Sequence, residues 1–107
     1  QRVYRLSDKG RAQIARLDGY LIENLEISFG NRIMRQLEEF VPIFISAGGT
    51  ELEAIDIIVA RKVLRKLEAK NPLLVKRCVN GFMTFLDSEF GTDEMKLCRQ
   101  VFNKYNI

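Results

Sequence analysis

Apolar residues return every three to four positions through most of this chain, the period of a helix with one buried face. Ile14, Leu17, Leu21 and Leu25 form the first such stripe, over residues 8–27. Ser7 stands ahead of it as an N-cap, with Asp8 near the positive end of the helix dipole. Gly10 and Gly19 lie inside it, each costing about 1 kcal/mol against Ala, and leave room for a break near Asp18-Gly19. Before it, Arg2-Val3-Tyr4-Arg5-Leu6 alternates briefly, as a short strand or an extended lead-in would.

The sharpest stretch is residues 28–44. Ile33, Leu37, Phe40, Val41 and Phe44 make a second helical stripe that ends near Ser46. Ser28 and Asn31 can each accept hydrogen bonds from free N–H groups at its start, and Gly30 lets the chain turn in tightly. Pro42 lies inside and cannot bond to the carbonyl of Glu38, which predicts a kink. Ala47-Gly48-Gly49 reads as a loop. Thr50-Glu51-Leu52-Glu53 follows as a capping box, opening a third helix to about Lys70. Its stripe is Leu52, Ile55, Val59, Val63 and Leu67, broadened by Ile57, Ile58 and Leu64, so this helix is expected to be central. Its charges run from acidic to basic and complement the dipole at both ends.

Asn71-Pro72 closes that helix and starts a fourth, whose stripe is Leu74, Cys78, Phe82, Phe85, Leu86 and Phe90 before Gly91. Thr92, Asp93 and Glu94 open a last helix carrying Met95, Cys98, Val101, Phe102 and Tyr105. Nothing after residue 6 reads as strand. The expected fold is all-α: a compact bundle of about five helices in a single domain spanning residues 1–107.

Composition narrows the function classes. A length of 107 residues suits one core, and 47% apolar with 29% charged residues is a globular balance. No apolar run reaches the roughly 20 residues of a membrane span, so no membrane is expected. The chain begins without Met and without the apolar core of a signal peptide, which reads as a C-terminal fragment of a larger, cytoplasmic protein. Net charge is +3, with acids and bases interspersed through most of the chain, a solvated surface rather than a nucleic-acid binder. Cys78 and Cys98 both fall on apolar faces, as free thiols in a reducing compartment do. There is no histidine, which removes the usual general base and the commonest zinc ligand.

Little chemistry remains. No P-loop, dinucleotide fingerprint or paired-cysteine motif is present. Glu38-Glu39 and Glu51/Glu53 lie where dipoles and ion pairs explain them. The row Arg61, Lys62, Arg65, Lys66 could touch a phosphate backbone, but it sits at a helix end, where basic residues are usual, without aromatic residues for base stacking. Arg32 is the distinctive cation. It stands in the first turn of an amphipathic helix beside Gly30 and Asn31, with Arg35 three residues on. A cation at the positive end of a helix suits a phosphate, though a surface arginine pairing with Gln36 or a carboxylate would look the same.

Two series of residues carry a family resemblance. Phe29-Gly30-Asn31-Arg32-Ile33-Met34-Arg35-Gln36-Leu37 comes first, with a Gly-Gly loop after it. Glu53-Ala54-Ile55-Asp56 and Lys62-Val63-Leu64-Arg65-Lys66-Leu67 complete the pattern. Together they resemble the C-terminal helical lid of AAA+ ATPases, in particular the McrB-like restriction NTPases. The match covers roughly residues 28–68. Arg65 departs from it, since relatives often carry proline there.

The resemblance implies that Arg32 acts like a sensor-2 residue on the nucleotide's terminal phosphates, with Gly30 and Asn31 shaping the turn and Arg35 beside it. It further implies ATP or GTP with Mg in the full-length parent, and an upstream P-loop domain under the lid. A ring homo-oligomer, a nuclease or adaptor subunit, and nucleic acid reached through the parent also follow. The isolated fragment is expected to bind no cofactor and to catalyse nothing. A rival resemblance rests on Tyr4-Arg5-Leu6-Ser7-Asp8-Lys9-Gly10-Arg11, which is similar to the end of a wing in winged-helix regulators. It implies a helical sensing or dimerisation domain. A helical protein-interaction module is the third reading.

Overall fold

The structure, a computed structural model, describes residues 5–106. Those residues hold five helical segments and no strand. The expected all-α bundle is what forms. The alternating stretch at residues 2–6 falls largely outside the described residues, and Arg5 and Leu6 are not strand.

Helix α1 (Asp8–Leu25) starts where the sequence places it: the Ser7 hydroxyl accepts from the Gly10 N–H at 2.9 Å. It runs without the break allowed for at Gly19, and turns out at Glu26 in a left-handed conformation (φ 56°). Helix α2 (Gly30–Ser46) continues through Pro42, so the proline does not end it. The capping box on α3 (Glu51–Ile58) forms in full, Thr50 Oγ1 taking the Glu53 N–H and Glu53 Oε1 the Thr50 N–H.

The third helix then departs from regular geometry. Past Ile58 it passes through a π-helical turn (Val59–Val63) and a 3-10 segment (Leu64–Ala69). Its sequence gives the reason. Ile55, Val59, Val63 and Leu67 are four apart and all fully buried. In an α-helix at 3.6 residues per turn such a row drifts by about 40° per step. A π turn holds more residues per turn and offsets that drift between Val59 and Val63. An unbroken α-helix would place Lys62 close below Ile55, seven residues earlier; here Lys62 is exposed.

Helix α4 (Pro72–Phe90) begins at the expected proline, with Asn71 Oδ1 accepting from the Leu73 N–H. Phe82, Leu86 and Phe90 of the expected stripe face inward, but over the first two turns the inward face is shifted by one residue. Val75, Val79, Phe82, Leu86 and Phe90 are buried, while Leu74 is 41% exposed and Cys78 and Phe85 only partly covered. Helix α5 (Lys96–Asn103) starts later than Thr92, after a turn in which Met95 takes φ 61°. Phe102 stacks on Phe82 at 3.9 Å between ring centroids, docking α5 onto α4.

Successive helices of α1 to α4 run back and forth. Ser7 meets Glu51 at one end of the molecule, through Ser7 N to Oε2 and Ser7 Oγ to Oε1, both 2.7 Å. At the other end Lys66 Nζ reaches the Ser28 carbonyl at 2.7 Å. One cluster of buried apolar side chains runs through all the helices. Among the described residues no helix is long and apolar enough to cross a membrane.

Candidate functional site

The start of α2 is built by its neighbours rather than by its own caps. Phe29 holds the N-cap position without a side-chain cap, and neither Ser28 nor Asn31 serves as one. Instead Asp18 Oδ1, from the middle of α1, accepts the Phe29 N–H at 2.9 Å. Ile27 and Phe29 are each 2% exposed and pin the connection into the core. Gly30 has φ +75°, a conformation that disfavours any residue with a Cβ, and open space surrounds it. Lys66, from the 3-10 end of the third helix, holds the Ser28 carbonyl. A carboxylate and an ammonium from two other helices therefore fix the angle at which α2 begins.

The four expected site residues stay together on this turn. Gly30, Asn31, Arg32 and Arg35 are all exposed. Arg32 and Arg35 make no hydrogen bond or ion pair with the described residues. The pairing with Gln36 does not form; Gln36 Oε1 is buried without a partner. The arrangement offers an uncapped helix start, an adjacent ammonium and two uncommitted guanidinium groups. Such a group can take two phosphate oxygens at once.

A second concavity, about 640 Å³, lies between the start of α3 and α5, with Glu53, Asp56, Asp93 and Glu94 around it. Its two inner carboxylates are already engaged. Glu53 closes the capping box. Asp56, 6% exposed, accepts the Leu97 N–H at 2.8 Å and the Cys98 N–H at 2.9 Å, capping α5 from α3. No group of three or more potential metal ligands occurs among the described residues. The groove therefore reads as the seam where α5 is fastened. Cys98 lies beside it, and its thiol is pushed well up by burial first and by the Asp56 carboxylate second.

Asp18, Asp56, Gln13 and Arg99 are the structural residues that spacing alone did not single out. Gln13 Nε2 donates to the Glu89 carbonyl. Arg99 binds the Glu94 and Gly91 carbonyls and Asp87, stapling α5 to the end of α4. A signal existed for Asp56, a lone acid inside Ala54-Ile55-Asp56-Ile57-Ile58. Comparisons with protein-family models, with curated proteins and with solved structures find no match to this chain.

Proposed function

We propose that this chain is the C-terminal lid of an AAA+ nucleoside triphosphatase of the McrB-like kind. It packs over an upstream P-loop core, and Arg32 contacts the terminal phosphates of ATP or GTP bound there with Mg. The observation that carries the proposal is the state of Arg32. It is exposed, unpaired among the described residues, and set on an uncapped helix start whose direction Asp18 and Lys66 fix. Arg11, Arg16 and Arg99 hold carboxylates in this molecule, whereas Arg32 and its neighbour Arg35 are left available on the same turn.

In this reading Gly30 and Asn31 leave the α2 amides open to an anion, and Arg35 adds to the local field. Lid movement against the core would pass nucleotide state to the next subunit of a cytoplasmic ring, with a nuclease or adaptor as a further partner. The test is ATP and GTP turnover by the full-length protein beside its Arg32→Ala version, with helical content of both checked. A loss of about tenfold or more is expected, the scale of a removed transition-state charge contact. Absence of turnover in the unaltered protein would overturn the proposal. Turnover indifferent to Arg32→Ala would return Arg32 to the surface.

A further inference from the structure

One stretch of this chain departs from its otherwise interspersed charge. Residues 61–70 carry five Lys and Arg against one carboxylate, Glu68, in a chain whose net charge is only +3. The ion pairs Arg11–Glu38, Arg16–Glu89 and Arg99–Asp87 all lie outside this stretch. Arg61, Lys62 and Arg65 are exposed and touch no carboxylate among the described residues. They share one outward face of the third helix, bounded by Lys66 on the α2 side and by Lys104 of α5 across a small groove beside Arg61. Lys62 lies within the π turn, and an unbroken α-helix would carry it close below Ile55, toward the core.

We infer that this face is a docking surface for the sugar-phosphate backbone of duplex DNA, bound without regard to sequence. Exposed cations freed of carboxylates repel one another unless a polyanion or its counterions neutralise them, and release of counterions from DNA drives such binding. Aromatic side chains are absent from residues 61–77, and none is exposed among the described residues, so the face lacks the stacking platform of single-strand binders. An anionic membrane is a poorer match. Ile22, Leu73 and Leu74 are the exposed large apolar side chains at this end, and no aromatic side chain is exposed with them among the described residues. The inference does not rest on the nucleotide reading, because Arg32 is not part of the face.

The test is a fluorescence-anisotropy titration of the 107-residue chain against a labelled 20-base-pair duplex of mixed sequence. With about four phosphates neutralised, the log Kd against log salt plot should have a slope of magnitude about 3–4, and affinity should fall roughly 100-fold from 50 to 200 mM salt. Lys62→Glu with Arg65→Glu should weaken binding more than tenfold and lower the slope by about two. Lys62→Gln with Arg65→Gln should do so in part, while Arg11→Gln, on the far side, should change little. Circular dichroism confirms that each variant stays helical. The inference is overturned by no binding at about 100 µM chain in 50 mM salt, the weak end of non-specific affinity. It is equally overturned if the double Glu variant binds as the unaltered chain does, or if the chain binds phosphatidylserine vesicles and not the duplex.

Discussion

At the scale of single residues, the most consequential side chain is one that periodicity treats as an interruption. Asp56 is buried among apolar neighbours and retains its charge-assisted bonds by accepting two α5 amides, Leu97 and Cys98. Cys98 lies against it and is fully buried, so its thiolate is disfavoured by desolvation and then by the neighbouring carboxylate. Arg99 opposes this only weakly. A thiol whose pKa is raised on folding holds its proton in the native state after the unfolded chain has lost it. Its contribution to stability is therefore whole below the unfolded thiol pKa and drains away as pH rises, by about 1.4 kcal/mol per unit above roughly pH 8.5, until the folded pKa is reached. Thermal melts between pH 8 and pH 10 should fall steeply for the unaltered chain and less steeply for Cys98→Ala. Equal slopes would mean that Cys98 does not carry the alkaline loss. Arg32 was legible at this scale because its oddity is local: a cation in the first turn of a strongly amphipathic helix. Asp18 and Lys66, which hold that turn in place, were not. Their partners lie 11 and 38 residues away, and no local pattern encodes such a pairing.

At the scale of elements, the chain's punctuation proved more informative than its stripes. Ser7, Thr50, Asn71-Pro72 and Gly91 mark helix ends correctly because each acts on backbone within a few residues. The start of α5 was misplaced at Thr92 because its cap, Asp56, sits 41 residues earlier. The inward face of α4 was misjudged by one residue over its first two turns only, since Leu74/Cys78 and Val75/Val79 are equally apolar rows and tertiary packing chooses between them. The four-residue spacing of Ile55, Val59, Val63 and Leu67 fits an ordinary helix over a short span, so the π and 3-10 turns were not legible in it. Two glycines turn this reading into a paired prediction. Gly19 sits within α1 with nothing within 4 Å of an added Cβ. Gly19→Ala should therefore stabilise the chain by about 0.5–1 kcal/mol. A Cβ on Gly49 would collide with the Phe44 ring, which closes the α2–α3 loop. Gly49→Ala should destabilise by about 1–3 kcal/mol unless that ring rotates away. Urea midpoints measured side by side decide it, and two shifts of the same sign would contradict the packing described for both sites.

At the scale of the whole molecule, the question is whether α1 is an integral helix or an appendage. The principal extents of 50 × 28 × 20 Å describe an elongated body, in which a terminal helix could peel away. Its bonding argues against that. Ser7 joins Glu51 of α3, Arg11 joins Glu38 of α2, Gln13 and Arg16 join Glu89 of α4, and Asp18 joins the Phe29 amide. The exposed ion pairs among these ties are weak alone, at about 0–1 kcal/mol each. The larger contribution is Ile14, Leu17, Leu21 and Leu25, all 2% exposed or less within the shared core. Burying side chains of this size stabilises by about 1.5–3 kcal/mol apiece, so detaching α1 would forfeit much of what holds a chain this small together. Native-state hydrogen exchange at rising urea should therefore show the central amides of α1 opening in the same global event as those of α3 and α4. Loss of α1 protection at clearly lower urea would identify it as a separable arm. The direction of α2 would then be set by Lys66 alone, because Asp18 leaves with α1, and the placement of Arg32 would become variable.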